Sequence, residues 1–307
     1  MKTLILALAV LTASVALYSQ NKQFILDADT GNEMDDLYAI TRVMLDKEAS
    51  IIALSSAHFN NLGMIAGTGG DSLPLMNTVK ESQRLNKLLA QACNREDIPL
   101  PEGANRFIGE AWGITERYSP SEASSTIIRE AKKKMEKKEK LDVLCIGAST
   151  NLASAMMEAP EIIPHIRAYL LAGKYDKKEG IWDKSEYNVR NDLNAFDYLM
   201  NNKELEMYVM PVTTAQTLRF IRNETQERLK EDCLLAKILS ARWDYVSAKD
   251  DWIMWDLALV EAYLNPSVAE TEICLAPPEN GRHPVHVYTS VNAPEIKATF
   301  WRYYDKK

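Results

Sequence analysis

Positive charge is in short supply. Thirty-six lysines and arginines stand against 43 acidic side chains, a formal net charge of −7. That balance leaves no electrostatic footprint for nucleic acid. The basic run over residues 132–140 mixes lysine with glutamate and reads as a solvated helix end. Cysteine is scarce as well. Cys93, Cys145, Cys233 and Cys274 are widely and irregularly spaced, which gives neither a disulfide framework nor a metal-binding pattern. Cys145 lies in an apolar run and reads as core. After the first twenty residues no apolar stretch is long enough to span a bilayer, so no membrane partner is expected. Repeats, low-complexity tracts and linkers are also lacking.

What the chain does have begins with its first residues. Lys2 precedes an apolar stretch from Leu4 to Val15, and Ser14-Val15-Ala16 offers small residues at the cleavage-determining positions. A cut before Gln20 fits too. We expect residues 1–19 to be a signal peptide and the protein to be secreted or periplasmic. Residues 20–307 are expected to form a single α/β domain, since 307 residues with 46% hydrophobic content supply an ample core.

Apolar runs of strand type alternate with helical patterns along the chain. Strands are expected near residues 24–26, 51–55, 141–146, 166–171 and 205–212, with a β-rich tail over 285–304. Helices are expected over 37–45, 73–93, 121–139, 192–201, 215–230, 233–246 and 252–264. Residues 63–71 form a glycine-rich loop, and residues 98–120 are punctuated by proline and glycine. The alternation predicts an open, mainly parallel sheet flanked by helices, with a Rossmann-like core. In such sheets ligands bind at the carboxyl ends of the strands.

One of those ends is densely acidic. Phe24-Ile25-Leu26 runs into Asp27-Ala28-Asp29, then Thr30-Gly31-Asn32-Glu33-Met34, then Asp35-Asp36. Five carboxylates in ten residues repel one another, and burial would raise their pKa values. A bound cation is the simplest relief, and oxygen-only donors favour a hard ion such as calcium or magnesium.

The stretch resembles the opening motif of the inosine–uridine-preferring nucleoside hydrolases, in which a first strand ends in D-x-D and a glycine-containing loop leads to D-D. Here that loop is two residues longer. Further matches follow in order. Asn60, after Ser55-Ser56-Ala57-His58-Phe59, fits the family's asparagine near sugar and metal. Residues 144–152 resemble the strand-to-helix segment in which a backbone carbonyl, here that of Ile146, completes a calcium shell. Leu170-Leu171-Ala172-Gly173 resembles a glycine turn. Ser185-Glu186-Tyr187-Asn188 resembles A-E-F-N, with Glu186 and Asn188 expected on one face of an extended piece. Trp255-Asp256 resembles the late motif that supplies the last metal carboxylate.

The resemblance implies calcium-dependent hydrolysis of the N-glycosidic bond of a ribonucleoside. It implies Asp29, Asp36, Asp256 and the Ile146 carbonyl as metal ligands and Asp29 as general base, with Asp27 orienting its neighbours. Asp35, Asn60, Glu186, Asn188 and Asp256 would hold the sugar. Trp255 stands where many members have histidine and would stack on the leaving base, which favours purines. A homodimer or homotetramer is implied as well. Two other readings of the residues stay open. Asp27-Ala28-Asp29-Thr30 also fits the opening of a haloacid dehalogenase-like phosphatase, with Asp27 as nucleophile, Asp29 as acid/base and magnesium as cofactor. The same shell could also serve a calcium-dependent nucleoside- or sugar-binding protein without turnover.

Overall fold

A computed structural model describes residues 23–60, 77–109, 118–246 and 250–307. The expected signal peptide and the glycine-rich stretch over 63–71 lie outside the described residues, as does part of the expected irregular segment 98–120.

The strands are β1 (Gln23–Ala28), β2 (Ser50–Ser56), β3 (Leu141–Cys145), β4 (Ile166–Leu171), β5 (Lys174–Asp176), β6 (Ile181–Asp183), β7 (Glu206–Met210), β8 (Arg219–Ile221), β9 (Asp251–Ile253), β10 (Ala269–Leu275) and β11 (Pro284–Val291). Seven of them form the central sheet in the order β10-β11-β7-β4-β3-β1-β2. All neighbours run parallel except the β10–β11 pair at the edge. Strands β5/β6 and β8/β9 form two small antiparallel ribbons.

The helices are α1 (Asp35–Leu45), α2 (Thr78–Ala92), α3 (Glu122–Glu136), α4 (Thr150–Glu158), α5 (Tyr187–Asn191), α6 (Leu193–Met200), α7 (Val212–Ala215), α8 (Arg222–Arg228), α9 (Leu234–Val246), α10 (Trp255–Leu264) and α11 (Ala293–Tyr304). Alternation along β1 divides the core in two. Phe24, Leu26 and Ala28 pack with α1, α9, α10 and α11 on one face. Ile25 packs on the other face with Ile127 of α3 and Leu152 of α4. Both faces of the sheet are therefore covered, as a parallel strand buried from Phe24 to Ala28 requires.

The chain leaves β1 toward β2 on one side, then returns to place β3, β4 and β7 on the other. The strand order reverses between β1 and β3. At such a switch point the connections diverge and open a crevice beyond the carboxyl ends of the two strands. Asp29 follows β1 and Ile146 follows β3, so the acidic stretch opens there.

Four expected elements differ, the first being the helix over 252–264, which begins only at Trp255 because Asp251–Ile253 form β9. Glu186 and Asn188 do not alternate on an extended piece, because Glu186 caps the short helix α5 and Asn188 lies in its first turn. Residues 215–230 are not one helix, since β8 interrupts them. The tail is half strand and half helix: β11 gives way to α11, which Asn292 caps through its side chain.

Candidate functional site

Two helices converge on the switch point. Asp35 and Asp36 open α1, and Asp256 lies in the first turn of α10. Unpaired N–H groups and the helix dipole favour carboxylates at both places. The Asp256 N–H donates to Asp35 Oδ2 at 3.1 Å, which ties one helix start to the other. Behind them, Arg42 of α1 reaches Glu261 of α10 at 2.7 Å and Asp46 at 2.8 Å. Carboxylate oxygens of Asp35, Asp36 and Asp256 all lie within 4.8 Å of one another.

Asp29, one residue beyond β1, is not in that cluster of three but lines the same cavity and feels the charge of Asp36 and Asp35. Each of these four aspartates is at most 3% exposed. Burial pushes the carboxyls of Asp29, Asp36 and Asp256 well above the ordinary range, and the repulsion of neighbouring carboxylates adds to it. Burial also raises Asp35, to about 6, against the hydrogen bond from Asp256. Asp29 Oδ2 and Asp36 Oδ1 are buried and meet no N–H or hydroxyl donor, with only the carboxyl of the other aspartate close enough to share a proton. Orphaned carboxylate oxygens at that depth are costly unless something positive meets them. The donor set, all oxygen and strongly anionic, fits a hard divalent cation.

The four aspartates line a cavity of about 240 Å³ together with Asn32, Glu33, Ile146, Glu186, Tyr187, Asn188 and Trp255. Ile146, expected to offer its carbonyl, does line it, and that carbonyl accepts a hydrogen bond from Asn188 Nδ2 at 3.1 Å. A carbonyl oxygen has a second lone pair, so the bond leaves room for a cation. The same amide nitrogen donates to Leu171 O at 3.0 Å. Asn188 thus locks the carboxyl ends of β3 and β4 together while facing the cavity. The Glu186 carboxylate accepts N–H bonds from Gly173, Asn188 and Val189, so it fixes the turn after β4 to the start of α5. Trp255 is partly exposed at the cavity, with Trp252 edge-on to it at 6.3 Å and 82°.

Two residues do not line the cavity: Asn60, expected near the sugar, and Asp27, expected behind the ligands. Asn60 is not among the lining residues, and its amide is committed to Asn105 and Thr78. Asp27 faces the other side of the sheet, fully buried, and accepts bonds from Ser55 at 2.5 Å and Asn151 at 2.9 Å. It joins β1 to β2 and α4, and burial lifts its carboxyl to about 6. Enclosed in that way, Asp27 cannot serve as the nucleophile of a phosphatase. His58 is a structural histidine. Its Nε2 pairs with Thr150 Oγ1 at 2.8 Å, and Thr150 donates to Asp192 at 2.6 Å. Asp192 also caps α6.

Sequence reasoning gave no role to Glu33, Tyr187, Val212 or Arg242. Glu33 and Tyr187 sit inside stretches already singled out. Val212 follows β7, so the strand-end rule could have found it. Arg242 had no local signal, because its partners are about two hundred residues away.

A family model described as inosine-uridine preferring nucleoside hydrolase matches residues 24–298. Among solved structures the fold is similar to a plant nucleoside hydrolase, with a TM-score of 0.71 and 17% identity over 92% of this chain and 99% of that one. It is similar to a purine-preferring ribonucleoside hydrolase from Gardnerella vaginalis, with a TM-score of 0.65 and 17% identity over 92% and 98% of the two chains. It is also similar to an inosine-uridine preferring nucleoside hydrolase from Bacillus anthracis, with a TM-score of 0.68 and 15% identity over 93% and 100%. No curated protein matches the sequence.

Proposed function

The chain belongs to the inosine-uridine preferring nucleoside hydrolase family, whose members cleave the N-glycosyl bond of nucleosides, and from that premise we propose a calcium-dependent enzyme with a preference for purine ribonucleosides. The observation that carries the cation is the pair of buried oxygens on Asp29 and Asp36 that meet no N–H or hydroxyl donor. Asp29, Asp36, Asp256 and the Ile146 carbonyl would hold it. Bound there, a divalent cation neutralises part of the carboxylate charge and lowers the pKa of water.

Asp29 then acts as the general base. It takes a proton from water as the water oxygen bonds to the sugar's C1′ and the bond from C1′ to the base nitrogen breaks. The electron pair of that bond leaves with the base, which gains a proton from solvent. The flanking carboxylates stabilise positive charge developing on the sugar ring. Asp35, anchored by the Asp256 N–H, would offer its carboxylate to a ribose hydroxyl. Trp255 offers its face to the base, and purines present more face to stack than pyrimidines. Glu186 and Asn188 keep the sugar side of the cavity in shape through their backbone bonds.

The test is release of reducing sugar from inosine and uridine by purified mature protein. Chelation should abolish release and calcium should restore it, and Asp36→Ala should lose both bound metal and turnover. Active protein free of any divalent ion would refute the reading. We propose further that the chain is exported. Mass spectrometry of protein from its native host should then find the first 16 to 19 residues missing, and an intact Met1 would refute export.

A further inference from the structure

The lengthened loop between Asp29 and Asp35 is gripped from α9. Arg242 is 7% exposed. Its guanidinium donates through Nη2 to Gly31 O at 2.6 Å and Asn32 O at 3.2 Å, and through Nε to Glu33 O at 2.8 Å. Three successive carbonyls thus meet one planar donor fork. The next residue, Trp243, is fully buried and donates Nε1 to Tyr38 OH at 2.9 Å, one turn into α1. Adjacent residues of one helix therefore hold both the loop and the helix it enters. The loop is tight on another side too. A Cβ at Gly31 would fall 2.6 Å from Glu81 Cγ and 3.0 Å from the Phe59 ring.

Three backbone dipoles turned toward one point repel one another unless a cation meets them. Arginine suits the task because its five N–H donors lie in one rigid plane, whereas a lysine ammonium is a point charge on a flexible stem. The charge also opposes the effect of burial on the Asp36 carboxyl.

We propose that Arg242 is a positioning residue for the metal centre: by clamping residues 31–33 it fixes the path of the loop so that Asp35 and Asp36 meet Asp29 and Asp256, and thereby sets the affinity for the divalent cation. The inference rests on the calcium reading above. It assigns Arg242 no contact with substrate, and no proton moves to or from it. A partner that orients ligands in this way is typically worth about 10–100-fold in metal affinity.

The experiment is calorimetric titration of calcium into chelator-stripped wild type, Arg242→Lys and Arg242→Gln, with circular dichroism to confirm folding. Both folded variants should bind calcium about 10–100-fold more weakly than wild type, with Arg242→Lys the less affected. At saturating calcium, turnover of inosine should recover in Arg242→Lys. Folded variants with wild-type affinity would overturn the clamp while leaving the calcium reading intact. A wild type that binds no calcium would overturn both. Should neither variant fold, hydrogen exchange in intact, chelator-treated wild type decides. A protected Asn32 amide, whose N–H donates to Asp29 O inside the gripped loop, supports the clamp, and its exchange at the rate of an unstructured peptide overturns it.

Discussion

Gly147 shows how little room the site leaves at single residues. A Cβ there would lie 2.8 Å from Asp29 Oδ1, so the turn after β3 can approach Asp29 only without a side chain. Gly147→Ala should push the Asp29 carboxylate aside and cost at least about tenfold in kcat, since a displacement of about 1 Å at a reacting group can cost a hundredfold. Inosine turnover at saturating calcium checks this. Trp255 tests the other wall of the cavity. Its indole N–H is only a weak donor, so it cannot replace a protonated histidine. Stacking of a base on an aromatic ring is worth about 1–3 kcal/mol. Trp255→Ala should therefore lose about 5–160-fold in kcat/KM on inosine, with calcium binding unchanged. If Trp255 merely packs, the same change lowers the melting temperature and spares turnover. At this scale the acidic residues were legible because their spacing is local. The backbone bonds that Glu186 also accepts, and the grip of Arg242 on the loop, were not, because each acts on backbone groups that only the folded chain brings near.

The elements that carry the aspartates are two helices, α1 and α10, joined at their far ends. Arg42 is 3% exposed, pairs with Asp46 and Glu261, and lies 3.7 Å over the Tyr303 ring. Burial raises the Glu261 carboxyl, and Arg42 works against that. Removing one partner of a buried pair strands the other, which typically costs about 3–5 kcal/mol. Arg42→Met should lower the melting temperature by on the order of 10 °C, read by calorimetry in chelator. A shift under about 2 °C would mean that this pair does not brace the helices. Helix α11 explains why the tail was misread. Thr299, Phe300, Trp301, Tyr303 and Tyr304 favour strands by composition, yet Ile296, Phe300 and Tyr304 are buried at a spacing of four. The Asn292 cap was the local signal that could have settled it.

Across the whole molecule, the strand–helix alternation announced the covered parallel sheet, and the strand-end rule pointed to the site. The strand order and the reversal between β1 and β3 were not legible, because sequence order does not dictate which strands pair. Among the described residues no helix is long and apolar enough to cross a membrane. What the molecule as a whole must bear is a store of buried carboxylates, and this gives its stability an unusual pH dependence. Asp27, Asp35 and Asp192 are lifted by burial to about 6, and Asp29, Asp36 and Asp256 well above the ordinary range. Each binds its proton more tightly folded than unfolded. Their contribution is fully present below the unfolded value near 4 and is lost as pH rises through the folded value. His58 acts the other way, because burial lowers it to about 4, and its contribution is lost as pH falls below about 6.5. Burial raises Glu186 and Glu261 as well. Carboxyls held low by ion pairs, such as Asp183 and Glu139, are already ionised in this range. Between pH 5.5 and 7.5 His58 alone therefore works against the raised carboxyls, and they decide the sign. In chelator the protein should melt at a higher temperature at pH 5.5 than at pH 7.5. On the calcium reading proposed above, the ion should reverse the order, because it would bind the ionised carboxylates and stabilise the folded state by about 2.7 kcal/mol at a hundred times its dissociation constant. Melting curves at the two pH values, with and without calcium, test both signs. Metal-free protein more stable at pH 7.5 would mean that the acidic centre is solvated rather than buried.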